Sequence, residues 1–492
     1  MNNETLKQRT AKGLFWGAMN SGTTQMLNLV FGIVLGRLLS PEAYSVIAIL
    51  TIFVAIAGDL QSSGFTQGLV NLKRPAARDY NSVFSFNIIV SVTMYAILFF
   101  CAPLIADFYG KPYLTDVSRV LFLTFLIASL GIAHGGYMAK NMMNKEIAII
   151  GGVALLCSGT VGITLAFIYR NYWALVWQQI TYITVINLGK YYFVREWRPR
   201  LTFDFRPVRE MAPFALKILV TKIVTTISNN IMTNIFGKLF TDHQVGNYSQ
   251  AFKWDTMANS LVANTVGQIA QPVLVEAKEE APSLRGRAGG EAPLAVFRKM
   301  VRFTAFLSMP LMFGLSLVSR EFVFITIGEK WMGCVPMLSV LCISGAFMPL
   351  YTMYQNLAIS RGRSDIFMWL NIGQIVGQIA IVLALHNWSM QVMVDAYSLF
   401  VIIGLLPWHM IAGRLIGYRW IDAFKDVAPF TLAAAAVMVA VHYVTVPIDN
   451  ELLLLSARVV LAALAYYIIM KVARVQILRE CEEFILKKIK KA

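Results

Sequence analysis

The sequence predicts an all-α polytopic membrane protein: 14 transmembrane helices, in two six-helix lobes related by an axis along the membrane normal, followed by a C-terminal helix pair. Three observations carry that prediction. Of 492 residues, 57% are apolar and 14% charged, and the mean hydropathy is +0.61. Charged residues supply about a quarter of a globular chain, so this one lacks a water-facing surface for its length and the bilayer must be its main solvent. Apolar stretches long enough to span recur from residue 13 to residue 472, which excludes a soluble enzyme with one anchor. Alternate loops also differ in basic charge: of 43 Lys and Arg, 31 fall on one side, 6 on the other and 6 inside spans.

The first span covers residues 13 to 35. Lys7, Arg9 and Lys12 precede it, but the apolar run is longer than a signal-peptide core and no small-residue cleavage site follows, so it reads as a retained helix. Cutting the rest at Pro, Gly and charge clusters gives spans at 43–70, 80–106, 117–139, 146–168 and 172–194, then 212–236, 244–270, 300–326, 332–357, 365–386 and 390–412. A last pair covers 427–446 and 451–472. The organisation expected is an N-lobe at 1–211, a C-lobe at 212–426, and helices 13 and 14 with a basic tail at 427–492. Basic residues concentrate on cytoplasmic loops, so both termini are expected in the cytoplasm. The net charge of +16 is thereby located without invoking nucleic acid. Five cysteines, odd in number and mostly inside apolar runs, define no disulfide framework or metal spacing.

An internal repeat supports the two lobes. Gly36-Arg37-Leu38-Leu39-Ser40 resembles Gly237-Lys238-Leu239-Phe240-Thr241, Gly110-Lys111-Pro112-Tyr113 resembles Gly328-Glu329-Lys330-Trp331, and Ala139 to Glu146 resembles Ala358 to Asp365. One insertion, the long loop from Gln271 to Arg302, reconciles all three offsets. Its Pro282, Arg285, Gly286, Arg287, Gly289 and Gly290 suggest a flexible cytoplasmic linker. Because six is even, both lobes share one orientation and the repeat is parallel.

In the segments Gly36-Arg37-Leu38-Leu39-Ser40-Pro41-Glu42-Ala43-Tyr44, and Gly328-Glu329-Lys330-Trp331 followed by Pro336-Met337-Leu338, the chain resembles the multidrug/oligosaccharidyl-lipid/polysaccharide exporter superfamily. The branch it is similar to is the Wzx-like polysaccharide flippases of the colanic-acid and teichuronic-acid exporter type. The resemblance runs from about residue 5 to residue 480 and rests on short structural motifs, which identify the family rather than the cargo. It implies a flippase that carries an undecaprenyl-pyrophosphate-linked oligosaccharide from the cytoplasmic to the periplasmic leaflet by alternating access. The setting implied is the bacterial cytoplasmic (inner) membrane, as a monomer among membrane lipids and beside the polysaccharide polymerase machinery. No cofactor is implied; coupling to an H⁺ or Na⁺ gradient or to the membrane potential stays open. Relatives often carry an acid where this chain has Ser63, with Asp59 a turn earlier, so a role for that acid does not transfer.

Polar residues within the spans are the candidate path. Lys222, Thr225, Asn229 and Thr233 share one face of the seventh helix, and its repeat partner, the first, carries Asn20, Thr24, Gln25 and Asn28. Such stripes are costly against lipid and are expected to line an interior; interhelical hydrogen bonding without a cavity is the plainer reading. Lys222 lies about ten residues, roughly 15 Å, from its helix end, and Lys253 of the eighth helix is about as deep. Lys217 is shallow enough to snorkel, and Arg37 fits either the outer mouth or a loop cap. Asp59, Asp255 and Asp395 are the candidate coupling-ion sites. Arg320, Glu321 and Arg458 read as interface anchors, Pro213, Pro310, Pro349 and Pro407 as bending points with Pro310 best placed, and His134 as a core residue. A polytopic glycosyltransferase or polymerase would need acidic residues on sizeable outer loops, which here are short. A multidrug/cation antiporter sits poorly with a cationic interior; a lipid II flippase is the nearer alternative.

Overall fold

In the computed structural model, which describes residues 6–202, 204–280 and 288–489, every regular element among the described residues is helical. The chain divides into two compact units, Met1–Gly246 and Asn247–Ala492. The first holds α1 (Leu6–Leu38), α2 (Pro41–Asn71), α3 (Ala77–Tyr109), α4 (Leu114–Leu121), α5 (Leu123–Ser129), α6 (Ile132–Lys140), α7 (Asn144–Tyr169), α8 (Trp173–Phe193), α9 (Arg206–Leu239) and the first turn of α10 (Asp242–Glu280). The second holds the remainder of α10, then α11 (Ala288–Leu317), α12 (Ser319–Thr326), a 3₁₀ turn at Glu329–Cys334, α13 (Val335–Gly345), α14 (Met348–Ser360), α15 (Ser364–Leu385), α16 (Met390–Ile403), α17 (Leu405–Ile416), α18 (Trp420–Thr445), α19 (Glu451–Val472) and α20 (Gln476–Ile489).

Among the described residues nine helices are long and apolar enough to cross a membrane, or up to eleven if each of two bent pairs makes one span. The expected spans outside that set are α1, α8 and α10, which are helical but interrupted by Thr24, Gln25 and Asn28, by Gln178, Gln179 and Asn187, and by Lys253, Asp255 and Asn259. One bent pair, 114–129 with 132–140, turns by 43° at Gly131. There the Asn187 amide donates to the carbonyl of Ile127 and Lys190 Nζ to that of Gly131 at 3.2 Å, so two side chains of α8 add a second bond to carbonyls that also accept from the Leu130 and Gly135 N–H groups. A Cβ on Gly131 would overlap the Asn187 side chain. The other pair is α9, bent by 47° between 206–216 and 218–239, with Pro213 about one turn from the pivot. Pro349 opens α14 and Pro407 lies in the first turn of α17. Pro310 lies inside α11, which continues through it to Leu317 as one helix.

The expected linker at 271–302 is also mostly helix, since α10 runs to Glu280 and α11 starts at Ala288. Val-Leu-Val-Glu-Ala-Lys-Glu-Glu at 273–280 consists largely of helix formers that a hydropathy window rejects for their charge. Arg285 and the rest of 281–287 lie outside the described residues.

Within the first unit α2 and α9 pack antiparallel from end to end. A Cβ on Gly64 would come within 2.5 Å of the Ala215 carbonyl, one on Gly68 within 3.0 Å of Met211 Sδ, and one on Gly237 within 2.7 Å of the Ile49 side chain. Gly64 and Gly68 thus form a small-xxx-small approach, and midway Thr226 Oγ1 donates to Asp59 Oδ2 at 2.5 Å. Beside one end of this pair lies an aromatic core in which Tyr80 packs between Tyr137 and Trp197, at 5.5 and 5.4 Å. His134 is fully buried there, 4.0 Å from the Tyr191 ring.

In the second unit α11 packs on α18, and α18 on α19. Ion pairs fasten this layer at both ends. Arg298 holds Asp426 at 2.8 Å and Asp422 at 3.1 Å, with Arg302 3.4 Å from Asp426. At the other end Arg458 reaches Glu321 at 2.9 Å, with side chains only 8% and 2% exposed. Arg458 also donates to Thr445 Oγ1 and to the Leu317 carbonyl. Glu321 and Arg458 are therefore not interface anchors but partners in a buried pair; Arg320 is exposed and 3.4 Å from Glu451.

Candidate functional site

The polar stripe of α9 separates into two flanks. On one, Thr226 donates to Asp59, Tyr109 OH donates to Asn234 Oδ1 at 2.9 Å, and Asn234 Nδ2 donates to the Asn230 carbonyl at 3.0 Å. These residues join α9 to α2 and α3, so interhelical bonding accounts for them. On the other flank Lys222 and Asn229 are exposed and Thr225 is half-buried, its hydroxyl bonded to the Thr221 carbonyl. Thr233, buried, lies between the flanks. Thr24, Gln25 and Asn28 of α1 are half-buried, while Arg37, at its end, is exposed. The side chains of Asn20, Lys217 and Ser63 lie outside the described residues. Asp59 belongs to the bonded flank, not the open one.

In the second unit Lys253 and Asp255 leave α10 on different sides. Lys253 Nζ stands 5.7 Å from the Trp254 ring centre and is half-buried. Asp255, 6% exposed, is turned against α13, where its Oδ1 and Met312 Cε occupy the space that a Cβ of Gly345 would need. Asn259, one turn further along, is buried too, so this face of α10 sets a carboxyl beside a buried amide. Asp395, on α16, is exposed and accepts a hydrogen bond from Gln391 Nε2 at 2.7 Å.

A third cluster escapes the sequence reading. Asp242, the first residue of α10, accepts hydrogen bonds from Lys111 Nζ at 2.7 Å, Tyr113 OH at 2.6 Å and Ser45 Oγ at 2.7 Å. Lys111 also reaches the Gly237 carbonyl at 3.1 Å, and next door His243 Nδ1 lies 2.9 Å from Glu42. Burial pushes the Asp242 carboxyl upward, but the bonds from Lys111, Tyr113 and Ser45 outweigh it and hold it below the usual carboxylate range. The sign follows: a depressed carboxyl stabilises the fold at every pH above that range and releases only as the pH falls through its own lowered value. The cluster gathers residues up to 197 positions apart. Its sequence signals are an acid opening a helix and the Gly110–Tyr113 loop motif, neither of which names its partner.

The recurrent motifs serve this packing. Pro41 starts α2, and a Cβ on Gly246 would overlap its carbonyl. Leu39 is fully buried. Gly110 and Gly328, equivalent in the repeat, both take positive φ, 67° and 95°, where an L side chain is strained. Trp331 is fully buried.

Residues 34–336, more than half of the chain, match the family described as Polysaccharide biosynthesis protein. The chain is 26% identical over 381 residues to the teichuronic acid biosynthesis protein TuaB of Bacillus subtilis (strain 168), covering 76% of this chain and 73% of that one. It is 21% identical over 373 residues to the lipopolysaccharide biosynthesis protein WzxC of Escherichia coli (strain K12), covering 75% and 73%. Among solved structures it is similar to the lipid II flippase MurJ in an inward closed conformation, with a TM-score of 0.76 at 13% identity over 93% of this chain and 98% of that one. An inward-facing multidrug resistance MATE family transporter of the MOP superfamily follows, with a TM-score of 0.62 at 13% identity over 84% and 95%.

Proposed function

We propose, for a chain that belongs to the polysaccharide biosynthesis protein family, a transporter rather than a catalyst, moving a lipid-linked oligosaccharide across a bacterial cytoplasmic membrane. The cargo in this reading is an undecaprenyl-pyrophosphate-linked repeat unit travelling from the cytoplasmic to the periplasmic leaflet. What carries the reading is the open flank of α9: Lys222 with Thr225 and Asn229, a cation at mid-depth beside hydrogen-bonding groups. Against hydrocarbon that surface is expensive, whereas facing a water-filled path it suits a pyrophosphate and sugars while the prenyl tail stays in lipid. Lys253 extends the same chemistry to α10, and Asp255 is the best placed of the three acids for a coupling H⁺ or Na⁺, being buried with Asn259 one turn along. The transporter works as a monomer by alternating access, with the polymerase machinery nearby. A lipid II flippase is the second reading, favoured by the likeness to MurJ; the descriptions of TuaB and WzxC favour the first.

Deleting the gene should abolish surface polysaccharide and leave lipid-linked repeat units in the cytoplasmic leaflet. The same gene should fail to rescue cells depleted of their lipid II flippase. Rescue of those cells, with polysaccharide unaffected by the deletion, would move the assignment to lipid II. Orientation belongs to the proposal too: both termini are cytoplasmic. Accessibility reporters at Lys111 and Lys330 should read outside and one at Arg74 inside, and a reversed pair breaks the alternation of spans.

A further inference from the structure

At the turn joining α7 to α8 the first unit has a cavity of about 400 Å³ lined by Val161, Leu165, Tyr169, Asn171, Trp173 and Trp177. That volume falls in the range of small-molecule sites, about 300–1,000 Å³. Its composition is uneven. The floor is aliphatic, whereas the mouth carries three large rings, with Trp173 and Trp177 one turn apart on one side of α8. Trp177 is 45% and Tyr169 62% exposed. The geometry is braced: Asn171 Oδ1 caps the first turn of α8 by accepting from the Trp173 N–H at 3.1 Å, Arg170 ends α7 at φ 50°, and Tyr172 stacks on Tyr113 at 5.9 Å. Among the described residues, the indole N–H of Trp173, that of Trp177 and Asn171 Nδ2 donate to no hydrogen-bond partner.

Flat rings beside unused donors suit one ligand class. A pyranose presents apolar C–H faces that lie on indole and phenol rings, and a rim of hydroxyls that accept from N–H groups. An acyl chain would fill the floor but leave the three donors unused. Interfacial tryptophans are common in membrane proteins, yet a belt residue needs no cavity. The turn lies among the loops poor in Lys and Arg, which our proposal puts on the periplasmic side. We infer that the α7–α8 turn is a saccharide-binding platform, engaging one or two sugar rings of the cargo as it leaves on the outer face. The inference rests on the proposed cargo for which saccharide arrives there.

Benzoylphenylalanine placed at position 165 tests it in cells that make the polysaccharide. Illumination should give an adduct of the full-length protein that is positive for sugar, and that disappears in cells unable to assemble lipid-linked repeat units. Trp177→Leu, which keeps apolar bulk but removes the ring, should cut the adduct about tenfold, the effect of about 1.4 kcal/mol, and Trp177→Phe should retain most of it at equal protein level. If export depends on this chain but the adduct carries only phospholipid, or no adduct forms, the platform is wrong while the cargo reading stands. Equal adduct yields from the Leu and Phe variants would likewise overturn it. Export independent of this chain overturns both.

Discussion

Replacing Lys222 or Lys253 with alanine will reduce polysaccharide export by roughly tenfold to a hundredfold each, and the double variant will export nothing measurable, at unchanged protein level. The magnitude comes from charge-assisted hydrogen bonds, about 1.5–3 kcal/mol apiece, at about 1.4 kcal/mol per factor of ten. Structural cost should be small for Lys222, since its side chain is exposed on the open flank and joins no helix to a neighbour among the bonds that hold α9. Lys253 packs against Trp254, so Lys253→Met, which keeps the stem, accompanies the alanine variant. Arginine at 222 should preserve export, because it restores a permanent cation, whereas glutamine should not. Export can be read as surface polysaccharide per cell against membrane-extracted protein. Normal export in the double variant would remove the cationic path from the mechanism. Loss in Lys222→Ala with full activity in Lys222→Gln would assign the position to polarity rather than charge.

The helical segments were legible because composition and periodicity are properties of single stretches. The motif Gly36 to Tyr44 marked the turn between α1 and α2, and Gly110 and Gly328 marked positions where only a positive φ closes the turn. What one stretch cannot display is its partner. Lys111 and Tyr113 were visible as a loop motif, but their use, to hold Asp242 at the head of α10, depends on residues more than a hundred positions away. The stripe on α9 was legible as polar, yet nothing in its periodicity separates the flank bonded to Asp59 and Tyr109 from the flank left open. Charge misled in two places. It made helical residues at 271–280 and 288–302 look like a linker, and it made Glu321 and Arg458 look like surface anchors when each is the other's partner. Leu39 and Leu239, at equivalent ends of the repeat, both lie within the first compact unit.

Arg458→Ala and Glu321→Ala should each destabilise the protein by about 3–5 kcal/mol, because either change leaves a buried charge without its counter-ion. Glu321, 2% exposed, would be stranded by loss of Arg458, and the Arg458 guanidinium by loss of Glu321, although Thr445 and the Leu317 carbonyl would still accept from it. Those acceptors, with His442 Nδ1 3.3 Å from Arg458 Nη2, order the two variants: Arg458→Ala should be the worse. The expected observation is a lowered midpoint of thermal unfolding in detergent and a several-fold drop in membrane-extracted protein. Removing both charges is different in kind. An apolar pair of similar volume has no desolvation cost to recover, and such replacements are often neutral or stabilising by about 1–4 kcal/mol. Thr445 would keep its bond to the Val441 carbonyl, while the Leu317 carbonyl and His442 Nδ1, 3.3 Å from Arg458 Nη2, lose their contact with the guanidinium. Arg458→Met with Glu321→Leu should thus recover both the midpoint and export, as expected if the pair serves to fasten α19 to α12. Recovery of the midpoint without export would instead assign the charges to transport, and a double variant as unstable as Arg458→Ala would mean that the pair is net stabilising where it stands.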